Sequence, residues 1–422
     1  MASFQSFVLI CRSLFQENMA STFPDNIDAN NQALVAELQR FSTIEELRGS
    51  QFYRSHETEI RLLLDEPRVY VAPDPRPRLL SFLRVVEWNV ERGARLEGII
   101  EALNHHPVLR FADLLLLNEL DDGMIRSGNL NVAAELSRAI RAHAVFGVEY
   151  LELTKGAGHE LDSQGNNTAA LHGNAILTRH PFSKPEVVRL TRCENNFESA
   201  ERRLGGRIGV LVDLEVAGAH LTAVTTHLDV VNSPRCRARQ MHAMLEAVER
   251  RARREAAHAS GVVVGGDLNT HTFARGGRLR AMKNTAVILG SKPRSLAERL
   301  RNPERTEPAI GEFARFGYET RGLNDRQPTS RSIVSALDDS SRLPPPMKWW
   351  VRRRVPSEGL LLEFRLDWLA ARGVKPLASG EVVDRDTGVP SMAAQTIAGL
   401  TQEGHPLSDH DPIVVDLEVR HP

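Results

Sequence analysis

Six short polar motifs could do chemistry, and each lies at the end of an apolar run that is typical of a buried strand. Together they hold two histidines, several carboxylates and several amides, but no cysteine and no serine placed as a nucleophile. Such a set suits a hard divalent cation with oxygen ligands, and histidines that contact phosphate and move protons. In chain order the motifs are Glu87-Trp88-Asn89-Val90, Leu117-Asn118-Glu119-Leu120, Gly173-Asn174-Ala175-Ile176-Leu177, Thr226-His227-Leu228-Asp229, Gly265-Gly266-Asp267-Leu268-Asn269 and Ser408-Asp409-His410-Asp411-Pro412.

Each motif also has a purely structural interpretation. Asn89 could cap a turn, Asp267 and Asn269 could form only an Asx turn, and His227 could be a core histidine with satisfied hydrogen bonds. Glu119 is harder to explain in this way, since a carboxylate that follows a buried strand needs a partner or a metal ion. We expect the motifs to act together, because polar side chains at strand ends can converge on one crevice.

Alternating strand and helix patterns carry these motifs from Leu79 onwards. Continuous apolar runs such as Leu114–Leu117 predict strands that are buried on both faces, and a short Ala217-Gly218 turn predicts a hairpin. Because hairpins and βα units share one chain, we expect an α/β or α+β sandwich with mixed sheets. Strands are predicted at 83–90, 114–117, 208–216, 221–227, 261–265, 364–370 and 413–419, and helices at 28–41, 56–64, 96–103, 131–143 and 241–248.

The chain divides into two predicted parts. Residues 1–77 read as a mostly helical accessory segment that ends in a proline-rich boundary, and 78–422 as a catalytic domain. An irregular insertion is predicted at about 272–360, where helical and strand periodicity weaken. It contains Trp349-Trp350 beside basic residues, and this pair could stack on bases, lie at a lipid interface or pack onto the core.

Composition excludes some broad classes. The 41% hydrophobic fraction of the 422 residues excludes wholesale disorder. The net charge is −1, from 53 basic and 54 acidic residues, so the protein as a whole has no electrostatic attraction to nucleic acid or acidic lipid. The three cysteines, Cys11, Cys193 and Cys236, are widely spaced and predict neither a disulfide framework nor a zinc site, which favours a reducing, cytoplasmic location. The apolar stretch Phe4–Phe15 is interrupted by Arg12 and is a poor signal peptide.

The order of the motifs resembles the endonuclease/exonuclease/phosphatase superfamily, which includes pancreatic-type deoxyribonuclease, abasic-site endonucleases, neutral sphingomyelinases and inositol-polyphosphate phosphatases. The resemblance extends over roughly Leu79 to Val419, and Gly-Asp-Leu-Asn with Ser-Asp-His-Asp-Pro is its most specific part. It implies a four-layered sandwich of two packed mixed β-sheets flanked by helices.

The resemblance also implies a metal and a water site. Glu119, helped by Asn89, would bind a catalytic Mg²⁺ or Mn²⁺, and Asp409 would support the metal side. Asp267 would orient or deprotonate the attacking water, and Asn269 would hold a phosphate oxygen. One divalent ion can supply much of what phosphodiester hydrolysis needs.

Further residues are expected to contact the phosphate. The resemblance implies that His410, polarised by Asp367, contacts the scissile phosphate, and that His227 does so as well. We add Asn174, from its motif, and Arg203, which lies just before a predicted core strand, as candidate phosphate contacts. Arg202 and Arg207 are alternatives to Arg203.

Some positions depart from the family pattern. Asn118 stands where many members have glutamine, and Asp121 and Asp122 could add ligands or begin a polar loop. No tyrosine occurs between Tyr150 and Tyr318, where the abasic-site branch has one, which argues against a repair enzyme of that branch.

The sequence therefore predicts a metal-dependent hydrolase of phosphate esters, most specifically of phosphodiesters. Nucleic acid is one candidate substrate. Two alternatives stay open: a non-catalytic binding module on the same fold, and a lipid phosphodiesterase that works at a membrane surface.

Overall fold

The computed structural model describes residues 27–193, 195–255, 261–271, 278–334, 344–346, 349, 353 and 360–418. Phe4–Phe15, Cys11 and Trp350 lie outside these residues. Among the described residues the helices are α1 (Ile27–Leu38), α2 (Ile44–Gly49), α3 (Gln51–Asp65), α4 (Leu96–His105), α5 (Val132–Ile140), α6 (Pro234–Glu255), α7 (Arg278–Gly290), α8 (Pro293–Arg301) and α9 (Pro308–Arg315).

Most of the strands belong to two large sheets. The strands are β1 (Arg68–Tyr70), β2 (Leu83–Arg92), β3 (Leu114–Asp122), β4 (His143–Glu152), β5 (Leu171–Thr178), β6 (Phe182–Arg189), β7 (Arg203–Gly205), β8 (Ile208–Val216), β9 (Ala219–Thr226), β10 (Gly261–Asp267), β11 (Ser330–Val334), β12 (Leu360–Phe364), β13 (Asp367–Arg372), β14 (Lys375–Pro376), β15 (Gln395–Thr396), β16 (Thr401–Gln402), β17 (His405–Pro406) and β18 (Ile413–Glu418).

Both large sheets mix parallel and antiparallel neighbours. The first has the order β1-β4-β5-β3-β2-β18-β14, with β7 on β4 and β15 on β18, and the second has the order β13-β10-β9-β8-β6. The β2–β3 and β9–β10 pairs are parallel. Strands β11 and β12 form a separate antiparallel pair.

Three hydrophobic clusters hold four layers together. One fills the space between the two sheets, a second packs α1–α5 onto the outer face of the first sheet, and a third packs α6 and α9 onto the outer face of the second sheet. Strand β2 contributes to two of these clusters, because successive side chains point to opposite faces of a strand. Leu83 and Val85 enter the cluster between the sheets, whereas Val86, Trp88 and Val90 enter the outer one. The predicted four-layered sandwich is confirmed.

The chain from 278 to 315 differs from its prediction. The structure has three helices here, α7, α8 and α9, where the sequence predicted irregular chain. Pro293 and Pro308 begin α8 and α9 instead of breaking them, because proline has no N–H and is well suited to the first helical position. The limits of the insertion, 272 and 360, stay a prediction.

The first helices pack onto the sandwich. Leu38 and Leu47 are fully buried in the same cluster as Trp88, and β1 forms the edge of the first sheet by pairing with β4. The predicted division at residue 77 stays a prediction. Within the described part of the chain, none of the helices has the length and apolar character that crossing a membrane requires.

The prediction about the cysteines was wrong. Cys193 and Cys236 form a disulfide, with their Cα atoms 6.2 Å apart. Their 43-residue separation concealed this, because α6 begins at Pro234 and brings Cys236 back to the segment that follows β6.

Candidate active site

The sheet topology explains why distant motifs meet. The parallel strands β2 and β3 end at one edge of the first sheet, and β9 and β10 end at the facing edge of the second. Strands β13 and β18 run antiparallel to β10 and β2, so the residues at their beginnings lie at the same edges. Asn89, Glu119, His227, Asp267 and Asp367 thus lie together, as does His410 just before β18.

Asn89 joins two carboxylates. Its Nδ2 donates to Oε1 of Glu119 at 3.0 Å and to Oδ2 of Asp267 at 3.1 Å. Glu119 is partly open to solvent, with 24% of its side chain exposed, whereas Asp267 is 3% exposed. The two carboxylates therefore face one point that solvent reaches from the side of Glu119.

Backbone irregularities aim these side chains. The register of β3 against β5 shifts between Leu117 and Leu120, and Glu119 has φ +55°. Such a bulge re-aims the side chain at an edge, at a cost in local strain. Position 266 also requires glycine, since its φ is +152° and a Cβ there would lie 1.7 Å from the carbonyl oxygen of Thr226.

Asp267 and Asn269 form an Asx turn that also serves the site. The backbone N–H of Asn269 donates to Oδ1 of Asp267 at 2.8 Å, and Asn269 has φ +50°. The side-chain amide of Asn269 lies 2.9 Å from Nε2 of His227 and 2.9 Å from the carbonyl oxygen of Leu228. Because these contacts occupy the amide hydrogens, the predicted phosphate contact of Asn269 requires that one of them be released.

The two histidines of the site have opposite electrostatics. Burial, together with the nearby Arg207, lowers the pKa of His227 well below its usual value. Burial also opposes charge on His410, but the carboxylates of Asp367, Asp409 and Asp267 outweigh it and raise its pKa. These shifts favour the neutral form of His227 and the protonated form of His410.

His410 is held on one side and open to the site on the other. Its Nδ1 lies 2.8 and 3.0 Å from the two oxygens of Asp367, and its Nε2 lies 3.8 Å from Oδ2 of Asp267. Burial and the neighbouring Asp367 raise the pKa of Asp267 to about 7, although His410 opposes this. A carboxylate with that pKa has the basicity that suits a general base near neutral pH.

Glu87 is a residue of the site to which we assigned no role from the sequence. It is fully buried on the face of β2 that looks between the sheets, and both carboxylate oxygens lack a hydrogen-bond partner among the described residues. Burial and the carboxylates of Asp367 and Asp267 raise its pKa well above the usual range. The sequence did contain a signal for Glu87: it is a charged residue in a buried strand, at a position whose side chain faces the other sheet.

Asn118 and Asn174 form a layer behind the carboxylates. The Asp267 backbone N–H donates to Oδ1 of Asn118 at 2.7 Å, and Asn118 donates to Oδ1 of Asn174 at 3.0 Å. Asn174 then donates to Glu149 at 2.9 Å. Asn118, Asn174 and Glu149 are all fully buried. The structure therefore places Asn174 as a support of the site and not on its surface.

A cavity of about 430 Å³ begins at Glu119 and His227. Arg203, for which a phosphate contact was predicted, is one of the lining residues. Arg92, Arg126, Tyr150 and His172 also line the cavity, and none of them was predicted to belong to the site. Asp121 does not join the carboxylates of Glu119 and Asp267, because Arg126 at 2.8 Å and His172 at 2.8 Å bind it.

Two further predicted residues, Asp409 and Trp349, are exposed. The side chain of Asp409 is 57% exposed, and its Oδ1 is 4.0 Å from Nε2 of His410. Trp349 is 58% exposed, and the guanidinium of Arg353 lies 4.5 Å above its ring. The structure does not bring Trp349 to the carboxylates in any contact among the described residues.

A family model described as the endonuclease/exonuclease/phosphatase family matches residues 86–410. Similar solved structures include a Leptotrichia buccalis protein of that family, with 14% identity over 80% of this chain and 100% of that chain, at a TM-score of 0.44. The human Nocturnin catalytic domain with bound sulfate is 16% identical over 84% and 96%, with a TM-score of 0.41. Danio rerio TDP2 complexed with single-strand DNA product is 16% identical over 80% and 100%, with a TM-score of 0.41. No curated protein matches the sequence.

Proposed function

The chain belongs to the endonuclease/exonuclease/phosphatase family, and from this premise we propose that it is a divalent-metal-dependent hydrolase of phosphodiesters. Nucleic acid is one candidate substrate. The observation that carries the proposal is the convergence of Glu119, Asp267 and His410 at one open point between the two sheets.

The residues fit a divalent cation. Glu119, His227 and Asp267 each offer a ligand atom within 4.8 Å of the others. Neither Glu119 nor Asp267 forms an ion pair with a lysine or arginine among the described residues. Burial opposes charge on Glu119, but nearby basic side chains, Arg92 among them, outweigh it and lower the pKa of Glu119. Glu119 is therefore charged and close to Asp267, and a bound ion would relieve the repulsion between the two carboxylates.

Glu119 would hold the cation, and the exposed Asp409 could act on it through a water molecule. Asn89 would help through Oδ1 only if its amide turned over, since its Nδ2 now donates to Glu119 and Asp267. When bound, a Mg²⁺ or Mn²⁺ ion would neutralise charge on phosphate oxygens and make water a better nucleophile. The oxygen donors of these side chains suit either ion.

Asp267 is the residue we assign to the attacking water. Its Oδ2 lies 3.1 Å from Nδ2 of Asn89, 3.5 Å from Nε2 of His227 and 3.8 Å from Nε2 of His410. A water molecule bound there would be oriented by Asp267 and could lose a proton to it.

His410 and His227 are the residues we assign to the phosphate. Asp367 fixes the His410 ring and favours its charged form, and an imidazolium can donate from Nε2 to a phosphate oxygen. Burial and the nearby Arg207 favour the neutral form of His227 by lowering its pKa, and the Asn269 amide orients its ring. Arg203, which lines the adjoining cavity, could offer a further donor once it is released from Glu201.

The test is hydrolysis of bis-p-nitrophenyl phosphate and p-nitrophenyl phosphate with Mg²⁺, Mn²⁺ or EDTA. We expect metal-dependent turnover that favours the diester and is lost in Glu119→Gln and His410→Asn. Removal of a catalytic group of this kind typically costs about a hundred-fold or more in rate.

Matched controls are exposed residues of the same type, Glu97→Gln on α4 and His220→Asn on β9. These two variants should keep wild-type rates. Turnover that survives EDTA, or that Glu119→Gln and His410→Asn leave unchanged, would overturn the proposal. No turnover of either substrate with either metal would favour a binding role.

A further inference from the structure

A segment between α9 and β12 bridges the two parts of the chain that carry Asp367 and His410. Asp367 begins β13 of the second sheet, and His410 lies just before β18 of the first sheet. Residues 324–331 contact both places, because hydrogen bonds join them to the start of β13 and Ser330 forms a β-bridge with His410. We call residues 324–331 the bridging segment.

Thr329 is the residue of the bridging segment that bonds to both parts. It is fully buried, and its hydroxyl oxygen accepts hydrogen bonds from the backbone N–H groups of Leu366 at 3.0 Å and Asp367 at 3.2 Å. Its carbonyl oxygen accepts a further hydrogen bond, at 2.7 Å, from the backbone N–H of Asp411, which directly follows His410. Thr329 therefore fixes, from one point, the backbone of Asp367 and the backbone next to His410.

Neighbouring contacts keep Thr329 in place. The side-chain amide of Asn324 exchanges two hydrogen bonds with the backbone of Leu369, at 2.7 and 2.9 Å. The buried guanidinium of Arg365 donates to the carbonyl oxygen of Gln327 at 2.7 Å. The bridging segment is thus bound to β13 and to the residue before Leu366 ahead of the point where it reaches Thr329.

The His410 side is fixed as well. Arg331 forms an ion pair with the carboxylate of Asp411, and Ser330 lies opposite His410 in the β-bridge. Nδ1 of His410 lies 2.8 and 3.0 Å from the two oxygens of Asp367, so this pair depends on the separation of two backbones that belong to different sheets. A misplacement of about 1 Å can cost about a hundred-fold in rate.

We propose that Thr329 is a positioning residue for the Asp367–His410 pair. Its hydroxyl and carbonyl oxygens hold the two backbones at the separation that directs Nε2 of His410 toward Asp267. The hydroxyl is the part that a substitution can remove, because valine has nearly the same shape but no acceptor. In Thr329→Val the buried N–H groups of Leu366 and Asp367 would lose their partner, and the start of β13 would move to find another one. The effect on turnover rests on the proposed function, whereas the effect on the His410 ring does not.

The first test follows the His410 ring in EDTA and needs no turnover. Proton–nitrogen NMR spectra of protein with labelled histidine give the chemical shifts of both ring nitrogens at one fixed pH, and His410→Asn identifies the signals by their loss. Asp367→Asn shows where the signals lie when the pairing is absent. We expect Thr329→Val to move the Nδ1 signal from the wild-type position toward that of Asp367→Asn. A folded Thr329→Val protein with wild-type signals would overturn the inference.

Serine and cysteine give a second comparison, which holds even if Thr329→Val does not fold. Both variants lack the methyl group of threonine, but a sulfur atom accepts hydrogen bonds only weakly. Thr329→Ser should therefore keep the His410 signals near the wild-type position, and Thr329→Cys should move them toward those of Asp367→Asn. Equal positions in Thr329→Ser and Thr329→Cys would also overturn the inference.

Thr178→Val is the matched control. Thr178 is buried too, and its hydroxyl oxygen accepts from the backbone N–H of His180 at 3.0 Å. It pairs with Leu114 at the start of β3, whereas the site lies at the end of that strand. Thr178→Val should leave the His410 signals unchanged. A movement as large as that in Thr329→Val would show a general loosening of the fold and would count against local positioning by Thr329.

Turnover of bis-p-nitrophenyl phosphate with Mg²⁺ or Mn²⁺ tests the consequence for catalysis. Thr329→Val should lower kcat about ten-fold or more while KM changes little, because the orientation of His410 matters most in the transition state. Thr329→Ser should restore most of the rate, and Thr178→Val should keep it. An unchanged kcat in Thr329→Val overturns the inference and leaves the proposed function intact. Absence of wild-type turnover, together with the expected movement of the His410 signals, overturns only the proposed function.

Discussion

Both carboxylate oxygens of Asp367 lie within hydrogen-bond distance of Nδ1 of His410, Oδ2 at 2.8 Å and Oδ1 at 3.0 Å, although 43 residues separate the two in the chain. Both side chains are buried. The pairing orients Nε2 of His410 toward Asp267 and, with the other nearby carboxylates, raises the pKa of His410. The interaction thus links β13 of the second sheet to the residues just before β18 of the first sheet, in addition to the hydrogen bonds from Asn89 and Asn118 to Asp267.

Asp367→Asn should lower kcat by about a hundred-fold or more while KM changes less, because the ring loses its orientation and its charge. Asp367 raises the pKa of His410, so its removal lets His410 lose its proton at a lower pH. The alkaline limb of the pH–rate profile should therefore move to lower pH. Asp386→Asn, an exposed loop position, is the control, and an unmoved alkaline limb would contradict the prediction.

Mg²⁺ or Mn²⁺ should stabilise the wild-type protein against thermal unfolding. An ion that binds only the folded state adds about 2.7 kcal/mol at one hundred times its Kd. Glu119→Gln should abolish most of that gain, and Glu97→Gln should not. Differential scanning calorimetry at rising metal concentration measures the effect, and an equal gain in both variants would place the ion elsewhere.

His180 should make the fold sensitive to acid. Burial lowers the pKa of His180 to about 4, with Arg179 adding to the effect. The unfolded chain binds this proton below about 6.5, so this contribution to stability is present above pH 6.5 and is lost as the pH falls toward 4. The loss can reach about 3 kcal/mol.

The His180 effect is measured as a difference, because other groups titrate in the same range. Burial raises the pKa of Asp113 to about 6, for example, despite hydrogen bonds that oppose the shift. The free energy of unfolding of wild type relative to His180→Gln should fall between pH 7 and pH 4. His220→Gln, an exposed histidine, should show no such slope, and a flat difference for His180→Gln would refute the assignment.

The Cys193–Cys236 disulfide should contribute about 2–4 kcal/mol to the free energy of unfolding, since it closes a long loop. Cys193→Ala/Cys236→Ala is expected to lower the denaturant midpoint, and a thiol reductant should bring the wild type down to the same value. Cys11→Ala serves as the control. A wild-type midpoint that reductant does not change would contradict the bond.

Gly266→Ala should destabilise the protein by more than about 3 kcal/mol, because the added Cβ meets the Thr226 carbonyl oxygen at 1.7 Å in a backbone conformation of φ +152°. Gly311→Ala is the matched control. Nothing lies within 4 Å of the Cβ position there, in the middle of α9, so this change should stabilise by about 0.5–1 kcal/mol. Urea unfolding compares the two, and similar values for both would refute the steric explanation.

The layered fold was accessible from the sequence because apolar periodicity is local. The runs at Leu114–Leu117 and Gly261–Gly265 predicted buried strands, and the structure has β3 and β10 there. Strand β5 was predicted only through the Gly173–Leu177 motif, and β4 and β6 were not predicted, since their polar and apolar residues do not alternate clearly. The helices α8 and α9 were hidden by prolines that begin them.

The sequence by itself determined which polar residues end the strands, and therefore which side chains were available to the site. Only the tertiary structure decided which of them meet. The register of β10 on β13 opposes Asp267 to Asp367, a bulge in β3 turns Glu119 outward, and Asn174 faces an internal network instead of the cavity. Such contacts depend on sheet order and register between segments far apart in the chain, and local residue patterns do not encode these.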